Sequence, residues 1–389
     1  MTSGYVHPRF RPVAAVLRSH LGGPIRGGAA VSVYHRGECV VDIWGGFRDG
    51  AGAPWLRDTM ALSFSTTKGV TATLAHVLAD RGLLDLEAPV ARYWPEFAAM
   101  GKDRITVRQL LCHQAGLFPL RSRIDRAEEM LDWDHMTNIL AASEPAFPPG
   151  SRSGYHGLTY GWLVGETIQR AAGRPIGQVL REFLAEPLGL DGLYYGAPAS
   201  ERHRVARLVP PSRWPERLLA NPLVVRATAV LPGPFVASRT MDALLPEGMV
   251  DFFLSERVLD APIPSANGVF TARSLARMYA ALAGGGAIDG VRLLSRETLR
   301  RATRIQTLRL DRVVVVPMLW RLGYHAIPTT SGILPRAFGH FGYGGSGAFA
   351  DPVLDLSVAM VTSRVAGLPF GDMRIFRISG AAVACARRR

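Results

Sequence analysis

Hydrophobic positions change period several times along the chain. Residues 10–21 space Phe10, Val13, Val16, Leu17 and Leu21 three and four apart, which predicts a helix. The next stretch, AAVSVYHRGECVVDIWGG, holds two β-branched apolar runs flanking Arg36-Gly37, the signature of a hairpin. After Ser65 the spacing is helical again. Val70, Leu74, Val77 and Leu78 form the apolar face, and Gly82 ends it.

The middle of the chain reads as mostly helical. Thr106 can cap a helix through VRQLLCHQ that stops at Gly116, and helices follow near 128–142, 158–172 and 176–186. Residues 197–267 are rich in proline and arginine and read as a long surface excursion, a lid or pocket wall. Thr271 caps TARSLARMYAALA, and Ser295 caps one more helix. Strand character returns in RVVVVPMLWRLGY, FGHFGYGGSGAFAD and LSVAMVTSR, before a helical C-terminal stretch, MRIFRISGAAVACARR. This order predicts an α/β (α+β) fold with one sheet built from both chain ends, 1–85 and 305–389, and a mostly helical lobe, 86–304, inserted between them.

Composition narrows the function classes. The net charge of +13 raises a nucleic-acid reading, but the arginines are scattered and no nucleic-acid motif is present. Weak attraction to an anionic membrane surface fits the charge better. Cys39, Cys112 and Cys385 are far apart and odd in number, so neither a disulfide framework nor a C-x-x-C metal site is expected, and Cys112 reads as core packing. The first residues lack the apolar core of an export signal, and no run of about 18 apolar residues occurs. A cytoplasmic location is expected, possible membrane contact being peripheral only. Oligomeric state is left open.

Three stretches carry chemistry. The chain has two lysines, Lys68 and Lys102, and one of them follows a serine by three residues in LSFSTTKGV. At a helix start Ser65 and Lys68 share a face, so the amine can reach the hydroxyl. A serine becomes a nucleophile when a base takes its proton, and a buried lysine can be that base. The same pair also reads as a surface lysine beside a capping serine. In PPGSRSGYHG a turn presents Tyr155, either as a proton shuttle or as a packed aromatic. In FGHFGYGGSGAFADP, His340 stands beside crowded glycines (Gly342, Gly344, Gly345, Gly347), which suggest close approach of a ligand to the backbone. The match to G-x-G-x-x-G there lacks the helix and ribose-binding acid of a dinucleotide site.

Taken in order, these stretches resemble the serine β-lactamase and penicillin-binding-protein superfamily, nearest its class C β-lactamase-like branch with the family VIII carboxylesterases. Ser65-Thr66-Thr67-Lys68 matches S-x-x-K, Tyr155-His156-Gly157 falls at Y-x-N, and His340-Phe341-Gly342 falls at K-T-G or H-x-G. The resemblance covers about residues 10–375. It implies a β-lactamase/transpeptidase-like fold with an antiparallel sheet. It implies Ser65 as nucleophile, Lys68 as its base, Tyr155 as proton donor to the leaving group, and the backbone N–H groups of Ser65 and Tyr343 as oxyanion hole. His340 would stand where a lysine binds a substrate carboxylate, with Gly342, Gly344 and Gly345 beside the substrate. No cofactor or metal is implied.

Two departures point to the substrate. Gly157 removes the amide of Y-x-N, and His340 makes the positive charge pH-dependent. Both weaken recognition of a β-lactam or a D-Ala-D-Ala peptide and are tolerable for a neutral ester, so a carboxylesterase on short to medium acyl esters is expected. The apolar stretches 219–236 and 244–254 would line an acyl pocket. Ser265-Ala266-Asn267 reads as a loop beside that pocket or a simple turn before Thr271. The alternatives are a β-lactamase or peptidase, an acyltransferase, and a non-catalytic binding protein on the same fold. A Ser-His-Asp esterase would carry G-x-S-x-G, which is absent from the sequence.

Overall fold

Arg36 and Gly37, between the two apolar runs, both take positive φ, 55° and 79°. That backbone matches the right-handed twist of a hairpin. The strands Gly28–His35 and Glu38–Gly46 accordingly pair antiparallel. The computed structural model describes residues 2–22, 27–210, 234–365 and 372–388. Seven strands form the main sheet, in the order Thr2–Val6, Glu38–Gly46, Gly28–His35, Leu356–Thr362, Gly347–Asp351, Gly332–Phe341, His325–Thr329. All its pairs are antiparallel, and the two chain ends meet where Gly28–His35 lies beside Leu356–Thr362.

Both faces of this sheet are covered, and the alternation of side chains divides the strands between two cores. Leu356, Val358 and Met360 join Val31, Val33 and Phe349 under the helices Arg11–Leu21 and Arg374–Arg387. Ala359 and Val361 face the other way, with Ala348 and Ala350. Those small side chains admit the helix Ala272–Ala283, to whose Ala276 carbonyl the Ser357 hydroxyl donates at 2.7 Å. Arg273 of that helix is bonded to Asp42 of the sheet at 2.7 Å. The boundary expected at 304 therefore does not separate this helix from the sheet.

The caps expected at Thr106, Thr271 and Ser295 are present, each hydroxyl accepting a backbone N–H three residues on. Two expectations are corrected. Residues 312–324 form no strand: the Asp311 carboxylate takes the N–H groups of Val313 and Val314 at 2.8 and 3.1 Å, and Val315 turns with φ 55°. A local side-chain acceptor outcompetes the β-branched pattern there. The 197–267 segment is also more than a surface excursion. It contributes the helices Pro234–Leu244 and Met249–Leu254, which bury Ala243 and Phe252. Of its apolar stretches, 219–236 falls mostly outside the described residues. No helix among the described residues is long and apolar enough to cross a membrane.

The helix Thr66–Asp80 is buried on all sides from Thr66 to Leu78. Thr73 turns its hydroxyl back on the helix, donating to the Gly69 carbonyl at 2.7 Å. Lys102 is buried elsewhere, where its three ammonium hydrogens match the carbonyls of Ala99, Ala141 and Ser143 at 2.7, 2.8 and 2.6 Å. Replacing Lys102 by Met orphans three buried acceptors and should lower stability by about 3 kcal/mol in urea unfolding. An unchanged midpoint would show that this knot contributes nothing.

Candidate active site

The short strand Met60–Leu62 runs into a tight turn in which Phe64 adopts φ 45°, a costly conformation for a bulky residue. Ring contacts hold it: Phe64 lies parallel to Phe253 at 5.3 Å and edge-on to Tyr343 at 5.4 Å. Ser65 follows, at the start of the helix Thr66–Asp80. One turn on, Lys68 Nζ lies 3.1 Å from Ser65 Oγ. From the loop before the helix Tyr160–Ala172, the Tyr155 hydroxyl donates to the same Ser65 oxygen at 2.8 Å. The three residues singled out in the sequence thus meet at one oxygen.

Lys68 is fully buried. Its Nζ donates to the carbonyls of Gly157 and Ser265 at 2.6 and 2.8 Å. Loss of water holds its pKa well below 10.5. A neutral amine has two hydrogens and one lone pair. The two carbonyls use the hydrogens, and the lone pair remains for the Ser65 hydroxyl. Burial pushes the Tyr155 phenol above its usual 10, so it stays protonated and a donor.

His340 departs from its expected part. It is 2% exposed, and its Nδ1 donates to the Phe341 carbonyl at 3.0 Å. Burial, then the neighbouring His325 and Lys68, hold its pKa well below 6.5. It is a neutral ring near neutral pH, 6.3 Å from the Tyr155 ring, and supplies no cation for a carboxylate. The crowded glycines have close neighbours in the chain itself. A Cβ on Gly342 would lie 2.2 Å from the Ser63 carbonyl, so the close neighbour is the chain's own backbone ahead of Ser65. Gly344 and Gly345 make a turn with φ 78° and 93°, and Gly345 packs on Asp372. Gly342, Tyr343 and Gly344 do line the cavity over Ser65; Gly345 is not among its lining residues.

That cavity measures about 470 Å³ and is apolar, walled by Leu244, Met249, Phe253, Met318, Phe341 and Ile375 among others. Of the predicted pocket stretches, 244–254 is on this wall. A Cβ at position 157 would lie 2.1 Å from Leu244 Cδ2 and 3.0 Å from the Ala243 carbonyl, so a side chain there would have to displace the end of Leu244. Leu244 thus fills the space beside the Lys68-binding carbonyl.

The model of the family described as Beta-lactamase matches residues 13–382. The chain belongs to the beta-lactamase family. It is 43% identical over 366 residues to the Esterase/beta-lactamase LipL of Mycobacterium tuberculosis (strain ATCC 25618 / H37Rv), covering 93% of this chain and 83% of that protein. It superposes on a family VIII carboxylesterase with TM-score 0.85 at 36% identity, covering 99% of this chain and all 100% of that one. A penicillin-binding protein homolog from Caulobacter crescentus gives 0.84 at 38% identity, with 99% and 100% covered.

Within this beta-lactamase-family site, the triplet Ser265-Ala266-Asn267 is a loop beside the pocket, whose wall includes Ala266. Ser265 acts through its carbonyl, and its hydroxyl donates to the Leu158 carbonyl at 2.6 Å. Asn267 braces its own loop through the carbonyls of Val258 and Ala261 at 2.8 and 2.7 Å. Trp320 lies inside a run that reads as strand, Asp311 just before it, and His113 inside a predicted helix end. Among the described residues no group of side chains is arranged to hold a metal ion.

The pH dependence of Ser65 reactivity checks the protonation states. Lysine is charged below its pKa, so labelling by a fluorophosphonate should be slow in acid, rise with pH, and level off well below pH 10.5. No fall should follow below pH 10, because Tyr155 is still protonated there. Lys68→Met should slow labelling about 100-fold or more; a rise that begins only near 10.5 would contradict a neutral amine.

Proposed function

We propose that the chain is a serine carboxylesterase that works through an acyl-enzyme on Ser65. The observation that carries this reading is the shared oxygen, with Lys68 Nζ at 3.1 Å and the Tyr155 hydroxyl at 2.8 Å. Ser65 Oγ attacks the ester carbonyl while its proton passes to Lys68. The backbone N–H groups of Ser65 and Tyr343 hold the oxyanion. On collapse the C–O bond to the alcohol breaks, and the leaving alkoxide takes the Tyr155 proton. The Lys68 ammonium returns its proton to the phenolate, which lies close by, with Nζ 4.9 Å from the ring centroid. Water then attacks the acyl carbon and gives a proton to the same pair, the bond to Ser65 Oγ breaks, that oxygen takes the proton back, and the acid leaves.

A neutral ester fits the cavity better than a β-lactam. The wall is apolar, His340 is uncharged, and Leu244 occupies the space a longer side chain at 157 would need. The name of one similar structure, a family VIII carboxylesterase, supports that choice, and the name esterase/beta-lactamase of another relative covers both chemistries. Burying each added methylene of the acyl chain is worth about 0.8 kcal/mol at most. From acetyl upward, kcat/KM for p-nitrophenyl esters should therefore climb by about threefold per methylene until the cavity is filled.

Intact mass after brief exposure to p-nitrophenyl butyrate should show a butyryl adduct that Ser65→Ala lacks. Turnover of that ester should exceed benzylpenicillin hydrolysis by roughly 100-fold or more in kcat/KM. An adduct that survives in Ser65→Ala would move the nucleophile elsewhere, and parity with benzylpenicillin would overturn the ester preference.

A further inference from the structure

Asp311 is 1% exposed, yet among the described residues no lysine or arginine pairs with it. Four neutral N–H groups serve its carboxylate instead. Oδ1 accepts the backbone N–H groups of Tyr155, Val313 and Val314 at 3.0, 2.8 and 3.1 Å. Oδ2 accepts the indole N–H of Trp320 at 2.9 Å. The fully buried Trp320 lies parallel to the Tyr155 ring, with centroids 5.5 Å apart and planes 13° from each other. His113 closes the group, 4.3 Å from Trp320 and 5.0 Å from Tyr155.

One carboxylate thus grips the tyrosine twice, directly at its backbone and through Trp320 at its ring. We propose that Asp311 is a positioning residue for Tyr155, setting the hydroxyl on the Ser65 oxygen so that it can pass a proton to the leaving alkoxide. A buried charge without a counter-ion costs several kcal/mol. A loop that only needed to turn could use a neutral acceptor. What the charge adds is strong bonds, two of which, to the Tyr155 N–H and the Trp320 indole, fix the residue that carries the hydroxyl, where misplacement by about 1 Å can cost about 100-fold in rate. The inference rests on reading Tyr155 as the proton donor of an esterase, and it extends the site to a residue that touches no substrate.

A double-mutant cycle tests it, with kcat and KM measured on p-nitrophenyl butyrate for the parent, Asp311→Asn, Tyr155→Phe and the pair. Asparagine keeps an acceptor for the Tyr155 N–H but turns an NH₂ toward the Trp320 indole, donor against donor. Asp311→Asn should lower kcat by about 10- to 100-fold with KM within about threefold. In the Tyr155→Phe background the same change should cost less than about twofold, because the hydroxyl it positions is gone. Adding Trp320→Phe to Asp311→Asn should restore part of kcat by removing the opposed donor. Should Asp311→Asn not fold, Trp320→Phe takes its place in the cycle, with a kcat loss that again vanishes in Tyr155→Phe.

Full multiplication of the two losses, or a kcat for Asp311→Asn within twofold of the parent, would overturn the positioning role while leaving Ser65 as nucleophile. Tyr155→Phe as active as the parent would overturn it too. Failure of the esterase reading looks different: Ser65→Ala would keep its turnover.

Discussion

The site depends on an amine kept out of water with two acceptors for its hydrogens. Lys68 meets the carbonyls of Gly157 and Ser265 and one serine hydroxyl, and among the described residues no carboxylate pairs with it. The other lysine of the chain is a useful contrast. Lys102 meets three carbonyls, so every ammonium hydrogen has a partner, and burial takes its pKa only to about 8. Deeper burial, and a hydroxyl that can donate in place of the third carbonyl, suit Lys68 to act as a base.

The fold supplies that arrangement from separate parts of the chain. The two carbonyls come from 157 and 265, the hydroxyl from a strained turn after Met60–Leu62, and the proton donor from the loop at 155. The all-round burial of the Thr66–Asp80 helix keeps water from Lys68. The imidazoles around the site are held neutral by the same burial: His325 falls to about 4, His156 to about 3, and His113 and His340 well below 6.5. The result is a dry polar centre whose amine and imidazoles are uncharged at rest, beneath an apolar cavity. That suits a neutral acyl ester and offers little to a carboxylate.

The sequence made the reacting centre legible because helical spacing alone brings residues 65 and 68 together, and caps and hairpin turns have local chemistry. Thr271, Ser295 and Arg36-Gly37 behaved as their residue types require. What escaped was non-local. RVVVVPMLWRLGY has strand composition, but Asp311 just before it claims the N–H groups a sheet would need. His340 has the position of a charge-binding residue, but its neutrality comes from neighbours far away in the chain. Of the glycines after it, Gly342 packs on Ser63 and Gly344 and Gly345 make a turn, while Gly342 and Gly344 also line the cavity. Backbone carbonyls, such as that of Ser265, leave no trace in side-chain identity.

The most direct measurement is the protonation of Lys68 itself. Only two lysines are present, so protein labelled with ¹³C-lysine gives two side-chain signals, assigned by Lys102→Met. Followed across pH, the Lys68 Cε signal should change from ammonium to amine well below 10.5. A Lys68 signal that keeps its ammonium position up to pH 10 would contradict the account, because no base would then stand beside Ser65.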